Sequence, residues 1–365
     1  MSSNGPATAL GVKAHVLYSQ LLKADEYWAL LNLNSVAAIA DFLKNTDGYR
    51  NSLGIMVSEK THRVDLENAL RSSLLTEAET FLSYLQDEWR RFFIDWMSWF
   101  EAEQLKSIFR WVRTRRMDHD AMRSRLIHVP GAELPYEALL NCRDYDELLD
   151  VLSGTKYYSV LREPVRRITN GEKSLFSLEM AVDNLVETIL YNDIKSLSAN
   201  ERAILEPLFG SRIDLLNIYH LHRCMWYYSM TVEETIAYLL PVRHNVKTKH
   251  LRAMAGGDLS AEERLETLET LFPVYGRIFR NALSREDKEL ALEMSIKRFN
   301  YLKALEIFKN GIPGFHTAIA YFILKDHEIS DIIRMIENVR YDYDRRSAAQ
   351  YLIRPINAGG EPAWQ

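Results

Sequence analysis

Apolar residues recur along the chain at spacings of three and four, which places them on one face of a helix. Long stretches of this kind predict amphipathic helices over 65–116, over 178–197 with a continuation after a break, and over 285–310. The prolines expected at joints between helices are Pro130, Pro135, Pro207, Pro241, Pro273 and Pro313. Only 15 glycines and 10 prolines occur in 365 residues, which also favours helix over strand. The pattern therefore predicts an all-α protein.

The chain repeats itself when it is shifted by 109 residues. Residues 27–49 then align without gaps to residues 136–158, with nine identities in 23 positions. Tyr49 falls opposite Tyr158 in this alignment. A weaker third copy over 259–275 needs one inserted residue and ends at Tyr275. Each copy predicts two short amphipathic helices and a turn, and so one repeating structural unit.

A second signature recurs three times, with an acidic residue, a polar residue three positions later, and apolar residues four and seven positions later. The acidic and polar pairs are Glu101 with Gln104, Asp214 with Asn217, and Glu328 with Asp331. The acidic residues are 113 and 114 positions apart, close to the first offset. The first two copies share an arginine nine positions on, Arg110 and Arg223, whereas the third has Glu337. The third unit has therefore diverged most.

On a helix these offsets share one face, so the carboxylate lies on the stripe that must be buried. We expect it near a helix start at a packing junction, where it faces free N–H groups. A capping or inter-helix hydrogen-bonding role is favoured over direct contact with a ligand, which stays the alternative.

Three units follow from these repeats. Their predicted ranges are 1–125, 126–240 and 241–345, with a C-terminal tail over 346–365. From Pro355 on, the tail lacks periodicity and is expected to be frayed. Three units with matching acidic signatures predict closure around an axis, with approximate threefold symmetry, rather than an open solenoid.

Net charge and the absence of a targeting signal argue against a nucleic-acid-binding protein and against a secreted one. The net charge of −5 and the absence of a recognition motif argue against nucleic acid as a partner. The first residues do not resemble a secretory signal, and the longest uninterrupted apolar run is seven residues. Cys142 and Cys224 are expected to be buried thiols in a reducing compartment, so we expect the protein in the cytoplasm.

No catalytic, metal or cofactor site is predicted. His220 and His222 are two residues apart and point away from each other on a helix, which is a poor metal geometry. A surface or capping role is favoured for His327 with Glu328, and a solvated loop for residues 118–120. Glycine-rich phosphate loops and nucleophile motifs do not occur.

Two side-chain strips stand out. Trp89, Phe92, Phe93, Trp96 and Phe100 have helical spacing, and a buried bundle seam is favoured over a partner-binding strip. Lys106, Arg110 and Arg113 form a basic stripe, for which a solvated face is favoured over contact with an acidic partner or phosphate groups.

The order of these signatures resembles the C subunit of the vacuolar-type and archaeal-type rotary ATPases, whose eukaryotic counterpart is the d subunit. The segments that carry the resemblance are Leu21-Leu22 with Tyr27 and Leu30-Leu31, the run Asp214 to Ile218 (DLLNI), Tyr238 to Pro241 (YLLP), and Lys325 to Arg334 (KDHEISDIIR). The resemblance covers roughly residues 13–345.

The resemblance implies three similar helical domains arranged as a pseudo-threefold funnel. Such a funnel is a socket without catalytic activity or cofactor, which joins the central shaft to the ring of membrane proteolipid subunits during ion transport. It would lie peripherally on the cytoplasmic face of a membrane, held by its partners. We expect Lys106, Arg110 and Arg113 as candidate shaft contacts. A helical-repeat scaffold of an unrelated assembly and an all-helical enzyme with a bundle-core site are the alternatives.

Overall fold

The protein is all helical in the computed structural model, which describes residues 4–54, 56, 61–256, 259–341 and 348–356. No β-strand occurs among these residues. The helices are α1 (Asn4–Ser19), α2 (Ala24–Leu31), α3 (Val36–Lys44), α4 (Arg50–Leu53), α5 (Arg63–Leu82), α6 (Asp87–Thr114), α7 (His119–Arg123), α8 (Tyr136–Asn141), α9 (Tyr145–Val151), α10 (Tyr158–Thr169), α11 (Phe176–Ile194), α12 (Ala199–Trp226), α13 (Val232–Tyr238), α14 (Thr248–Ala255), α15 (Ala261–Leu271), α16 (Pro273–Leu283), α17 (Lys288–Asn310) and α18 (Phe315–Tyr341).

Polar side chains fix where many of these helices begin. Ser35, Asp144, Ser198, Thr231 and Ser260 each accept a hydrogen bond from a backbone N–H in the first turn of the helix that follows. Such caps satisfy N–H groups that have no partner inside the helix, and each contributes about 1 kcal/mol. The capping residues therefore mark where these five helices begin.

The single helix predicted over 65–116 is wrong, because the chain forms α5 and α6 with a break between them. Arg90 donates a hydrogen bond to the Leu82 carbonyl at 2.7 Å and so satisfies the end of α5. Asp87 has a left-handed φ of 47°, which turns the chain into α6.

Pro207 does not lie at a joint but inside α12. A proline in a helix interior costs about 3 kcal/mol. Leu205, Leu208 and Phe209 on either side of it are at most 3% exposed, and burial of three such side chains offsets a cost of this size. Tertiary packing therefore overrides the local signal.

The order of elements repeats every six helices, as α1–α6, α7–α12 and α13–α18. The sixth helix of each set packs on the fifth helix of the next set, α6 on α11 and α12 on α17. The last helix, α18, packs on α5, and also on α1, α2 and α3 at the start of the chain. The series of contacts therefore closes on itself.

The aromatic residues of α6 form the bundle seam that the sequence predicts. Phe92, Phe93 and Trp96 are at most 1% exposed, and the rings of Phe93 and Trp96 both contact Phe322 of α18. Trp89 is half-buried and stacks on Phe315 with ring centroids 5.2 Å apart. The seam joins the first set of helices to the last.

Two glycines permit close approaches between helices and neighbouring chain. A Cβ atom at Gly11 of α1 would lie 2.3 Å from the backbone nitrogen of Gly314, just before α18. A Cβ at Gly210 of α12 would lie 2.4 Å from the ring of His244. Larger residues at these positions would push the neighbouring backbone or ring away.

Most buried apolar residues form one continuous core, and a second core lies among α12 and α14–α17. Of the helices that the structure describes, none has the length and apolar character needed to cross a bilayer.

Candidate functional site

Glu101 lies in the middle of α6, where it is 1% exposed. One carboxylate oxygen accepts hydrogen bonds from the backbone N–H groups of Glu133 and Leu134, at 2.6 and 2.9 Å. The other accepts from the Tyr157 hydroxyl at 2.8 Å and lies 3.4 Å from the Lys156 ammonium. The carboxylate thus joins α6 to the chain that leads into α8 and α10.

Asp214 occupies the same place in the middle of α12 and is fully buried. Its two oxygens accept hydrogen bonds from the backbone N–H groups of Val246 and Asn245, at 2.9 and 3.1 Å. The Tyr275 hydroxyl donates to it at 3.2 Å. This carboxylate joins α12 to the chain leading into α14 and to α16.

Glu328 lies in the middle of α18 and is 3% exposed. It accepts a hydrogen bond from the backbone N–H of Leu22 and another from the Tyr49 hydroxyl, both at 2.8 Å. The Lys325 ammonium lies 3.8 Å away. Because Leu22 and Tyr49 belong to the first unit, this carboxylate joins the end of the chain to its beginning.

The three carboxylates share one geometry, which we call the junction carboxylates (Glu101, Asp214 and Glu328). The donors Leu22, Leu134 and Val246 each lie two residues before a short helix, α2, α8 or α14. As expected, the carboxylates lie at packing junctions and face backbone N–H groups near a helix start, but that helix is not the one that carries them. They sit in mid-helix and bind the chain that enters a helix of the next unit.

The tyrosine donors correct the repeat alignment by one residue. Tyr157, rather than Tyr158, makes the hydrogen bond that Tyr49 makes in the first copy. The turn before this tyrosine is one residue shorter in the second copy, with five positions after Leu152 instead of six after Leu43. Tyr275, where the weak third copy ends, is the equivalent donor.

Burial sets the protonation of these groups. It raises the pKa of Asp214 and Glu328, against the hydrogen bonds that favour their charged forms. Burial also raises the pKa of the three junction tyrosines, and the nearby carboxylate adds to the rise. The phenols therefore remain protonated donors.

The polar residue three positions after each junction carboxylate holds a neighbouring stretch of chain. Gln104 accepts a hydrogen bond from the Ile127 N–H at 2.7 Å and donates to the Tyr136 hydroxyl at 3.2 Å. Asn217 donates to the Val242 carbonyl at 3.3 Å. These contacts fix the chain just ahead of each junction.

Asp331 holds the C-terminal chain in the third copy. It accepts hydrogen bonds from the backbone N–H groups of Ile353 and Arg354, at 2.6 and 2.9 Å. The Arg354 guanidinium donates to the Leu22 carbonyl and lies 4.9 Å from the centre of the Tyr27 ring. In the other two copies one continuous stretch of chain binds both residues of the signature. In the third copy the C-terminal chain binds Asp331, and Leu22 binds Glu328.

The C-terminal tail is packed in its described part, 348–356, and of the stretch expected to be frayed, which starts at Pro355, only Pro355 and Ile356 are described. Leu352 and Ile353 are at most 1% exposed, and Arg298 donates to the Leu352 carbonyl at 2.8 Å. Residues 346, 347 and 357–365 lie outside the described part of the chain.

The residue nine positions after the junction carboxylate forms an ion pair in the first and third copies, with the two charges exchanged between the helices. Arg110 of α6 pairs with Glu179 of α11 at 2.7 Å. In α18 the corresponding residue is Glu337, which lies 3.7 Å from Arg63 of α5. Arg223 of α12 lies over the Tyr219 ring, 5.6 Å from its centre. The divergence of the third copy thus preserves an ionic contact with opposite signs.

A cavity of about 720 Å³ lies among the fifth and sixth helices of all three sets. Its cationic wall residues are Arg71, Lys106, Arg125, Arg212, Arg223 and Lys297. Its carboxylates are Glu103, Asp183, Glu187, Glu293 and Asp326. This polar interior is a concave surface that could receive a partner.

The basic stripe is divided between different surroundings. Lys106 lines the cavity, is 6% exposed and pairs with Asp183 at 2.7 Å, so a solvated face is wrong at this position. Arg110 is exposed although it pairs with Glu179 of α11, and Arg113 is exposed as well. Of the three candidate contacts, Lys106 alone is in the cavity wall.

The histidines do not assemble a metal site in the part of the chain that the structure describes, which contains no cluster of three or more metal-ligating side chains. His220 lines the cavity, whereas His222 lies 3.3 Å from Glu289. His327 also lines the cavity, so the surface role predicted for it is wrong. Asp118 caps α7 rather than belonging to a solvated loop. Cys142 and Cys224 are buried thiols, as predicted.

Comparisons with known sequences point to one protein family. The sequence model of a family described as "ATP synthase (C/AC39) subunit" matches residues 10–351. The C subunit of the A-type ATP synthase of Pyrococcus furiosus is 26% identical over 206 residues, which is 55% of this chain. The match spans 53% of that relative, or about half of its length.

The junction tyrosines provide a matched test. Replacing Tyr157 by Phe removes one hydrogen bond to a buried carboxylate, and we expect the free energy of unfolding to fall by about 1.5–3 kcal/mol. Tyr158→Phe alters the neighbouring ring, whose hydroxyl makes no such bond, and should change it by less than about 0.5 kcal/mol. Urea unfolding measures both. Equal effects of the two changes would contradict the assignment.

A second test concerns pH. Burial raises the pKa of Asp331 to about 7, from 3.8 in the unfolded chain. Between these values the folded protein keeps a proton that the unfolded chain releases. Stability therefore falls as pH rises through this range, by at most about 1.4 kcal/mol per pH unit for this group.

Thermal unfolding of the wild type and of Asp331→Asn at several pH values measures this slope. The variant should lack the contribution of Asp331, so its stability relative to the wild type should rise between about pH 4 and about pH 7. A difference between the two proteins that is constant over this range would show that Asp331 does not titrate as assigned.

Proposed function

The chain belongs to the ATP synthase (C/AC39) subunit family, and on that premise we propose that it is a non-catalytic central-stalk subunit of a V-type or A-type rotary ATPase. In this role it is a funnel-shaped socket that receives the end of the central shaft and rests on the membrane proteolipid ring. It transmits torque between the hydrolysis or synthesis of ATP and the transport of protons or sodium ions.

The observation that carries this proposal is the cavity enclosed by helices of all three units. A shaft that enters such a cavity meets a wall on every side, so rotation of one partner turns the other. The wall is polar and rich in charge, which suits contact with another protein surface more than storage of an apolar ligand.

Closure of the ring supports the same role. A coupling element loses torque wherever it yields, and packed helices deform little. The junction carboxylates connect each unit to the next, and Glu328 makes the third connection across 306 residues of sequence. An open row of units would separate at its free ends under load.

We further propose that the protein is held on the cytoplasmic face of a membrane by its partners. The family relationship favours a place in a membrane-bound machine, and none of the described helices could cross a bilayer. Attachment therefore comes from contact with the shaft and the proteolipid ring.

Site-directed cross-linking tests the socket directly. Ser330 lies in the cavity wall, and Ser153 is exposed at a turn outside it. The native Cys142 and Cys224 are at most 4% exposed, and burial raises the pKa of the Cys224 thiol to about 11, so both react slowly. A thiol-specific photo-cross-linker can therefore be placed at one chosen position.

We expect Ser330→Cys, labelled in this way, to capture the purified shaft subunits of the same organism, whereas Ser153→Cys does not. Failure of the wild-type protein to co-elute with those subunits on size exclusion would contradict the proposed function. Capture at Ser153 without capture at Ser330 would contradict the placement of the shaft in the cavity and favour a scaffold that binds through its outer surface.

A further inference from the structure

The cavity wall has more cationic side chains than carboxylates to pair with them. Lys106 pairs with Glu103 and Asp183, at 2.6 and 2.7 Å. Arg212 pairs with Glu187 at 2.8 Å. These contacts occupy two of the six wall cations and three of the five carboxylates.

Lys297 and Glu293 form one more pair, at 2.7 Å. Three cations of the wall then remain without a carboxylate at ion-pair distance among the described residues: Arg71, Arg125 and Arg223. One carboxylate of the wall, Asp326, has no cation at ion-pair distance among the described residues. The unmatched charge of the cavity is thus positive, although the chain as a whole has a net charge of −5.

Two buried histidines in the wall also have free ring nitrogens. His220 and His327 are 8% and 7% exposed, and Nδ1 of His220 and Nε2 of His327 have no hydrogen-bond partner in the described structure. Burial lowers the pKa of each to about 3, so both are neutral. They therefore add no charge to the cavity wall.

We propose that the end of the shaft that enters this cavity carries clustered acidic side chains, which pair with Arg71, Arg125 and Arg223. This inference rests on the proposed function and specifies the chemistry of the partner. Arginine suits this contact because its guanidinium binds a carboxylate through two parallel hydrogen bonds. An acidic end also supplies carboxylates to three arginines that have none at ion-pair distance among the described residues.

Asp326 specifies the register of the contact. Arg71, Lys297 and Arg212 have the strongest electrostatic influence on it, and all are cations. An acidic partner therefore docks nearer to Arg125 and Arg223 than to Asp326, which would repel it. Removing the charge of Asp326 should leave binding unchanged or strengthen it.

The test measures the affinity of purified shaft subunits for the full-length protein by calorimetry. Arg71→Glu and Arg125→Glu should each weaken binding by roughly tenfold or more, because each places like charges in contact. Arg71→Gln and Arg125→Gln should weaken it less, and they introduce no repulsion that could disturb folding. A rise in salt from about 50 mM to about 500 mM should weaken the wild-type complex.

Arg202→Glu is the matched control. Arg202 is exposed in the first turns of α12 and does not line the cavity, so the same change of charge there should leave affinity unaltered. Unaltered affinity in all four cavity variants, or weaker binding by Asp326→Asn than by Arg125→Gln, would overturn the acidic end while leaving the socket intact. A wild-type protein that binds no shaft subunit would overturn both proposals.

Discussion

A buried carboxylate in the middle of a long helix is the constraint on which this structure depends. A charge removed from water is tolerated only when it is fully hydrogen-bonded, and a mid-helix side chain finds no free N–H groups on its own helix. Glu101, Asp214 and Glu328 therefore need donors from elsewhere, and the chain two residues ahead of a short helix in the next unit provides them. Each junction fixes the position of one unit relative to its neighbour.

The third junction converts a row of units into a ring. Glu328 binds Leu22, and Asp331 holds the C-terminal chain, whose Arg354 binds the Leu22 carbonyl. At the other two junctions the polypeptide runs on from one set of helices to the next, whereas here hydrogen bonds alone join the two ends of the chain. The ring encloses a polar cavity, and packed helices deform little, as the proposed coupling between a shaft and a membrane ring requires.

The helical class, the repeat and the three acidic positions could be predicted from the sequence because each depends on local spacing. The partners of those carboxylates could not, since backbone N–H groups carry no sequence code and Leu22 lies 306 residues from Glu328. Pro207 and Lys106 were misjudged for a related reason. Burial against distant helices outweighed the helix-breaking tendency of one and the preference for solvent of the other.

Hydrogen exchange at the Leu22 amide, resolved to single residues by mass spectrometry, tests the ring most directly. In a closed ring this amide is protected in the wild type, and Glu328→Gln lowers its protection by roughly ten- to a hundredfold. The amides of Glu133 and Leu134, at an unaltered junction, should keep theirs. A wild-type Leu22 amide that exchanges as fast as an exposed loop would contradict closure of the ring through Glu328.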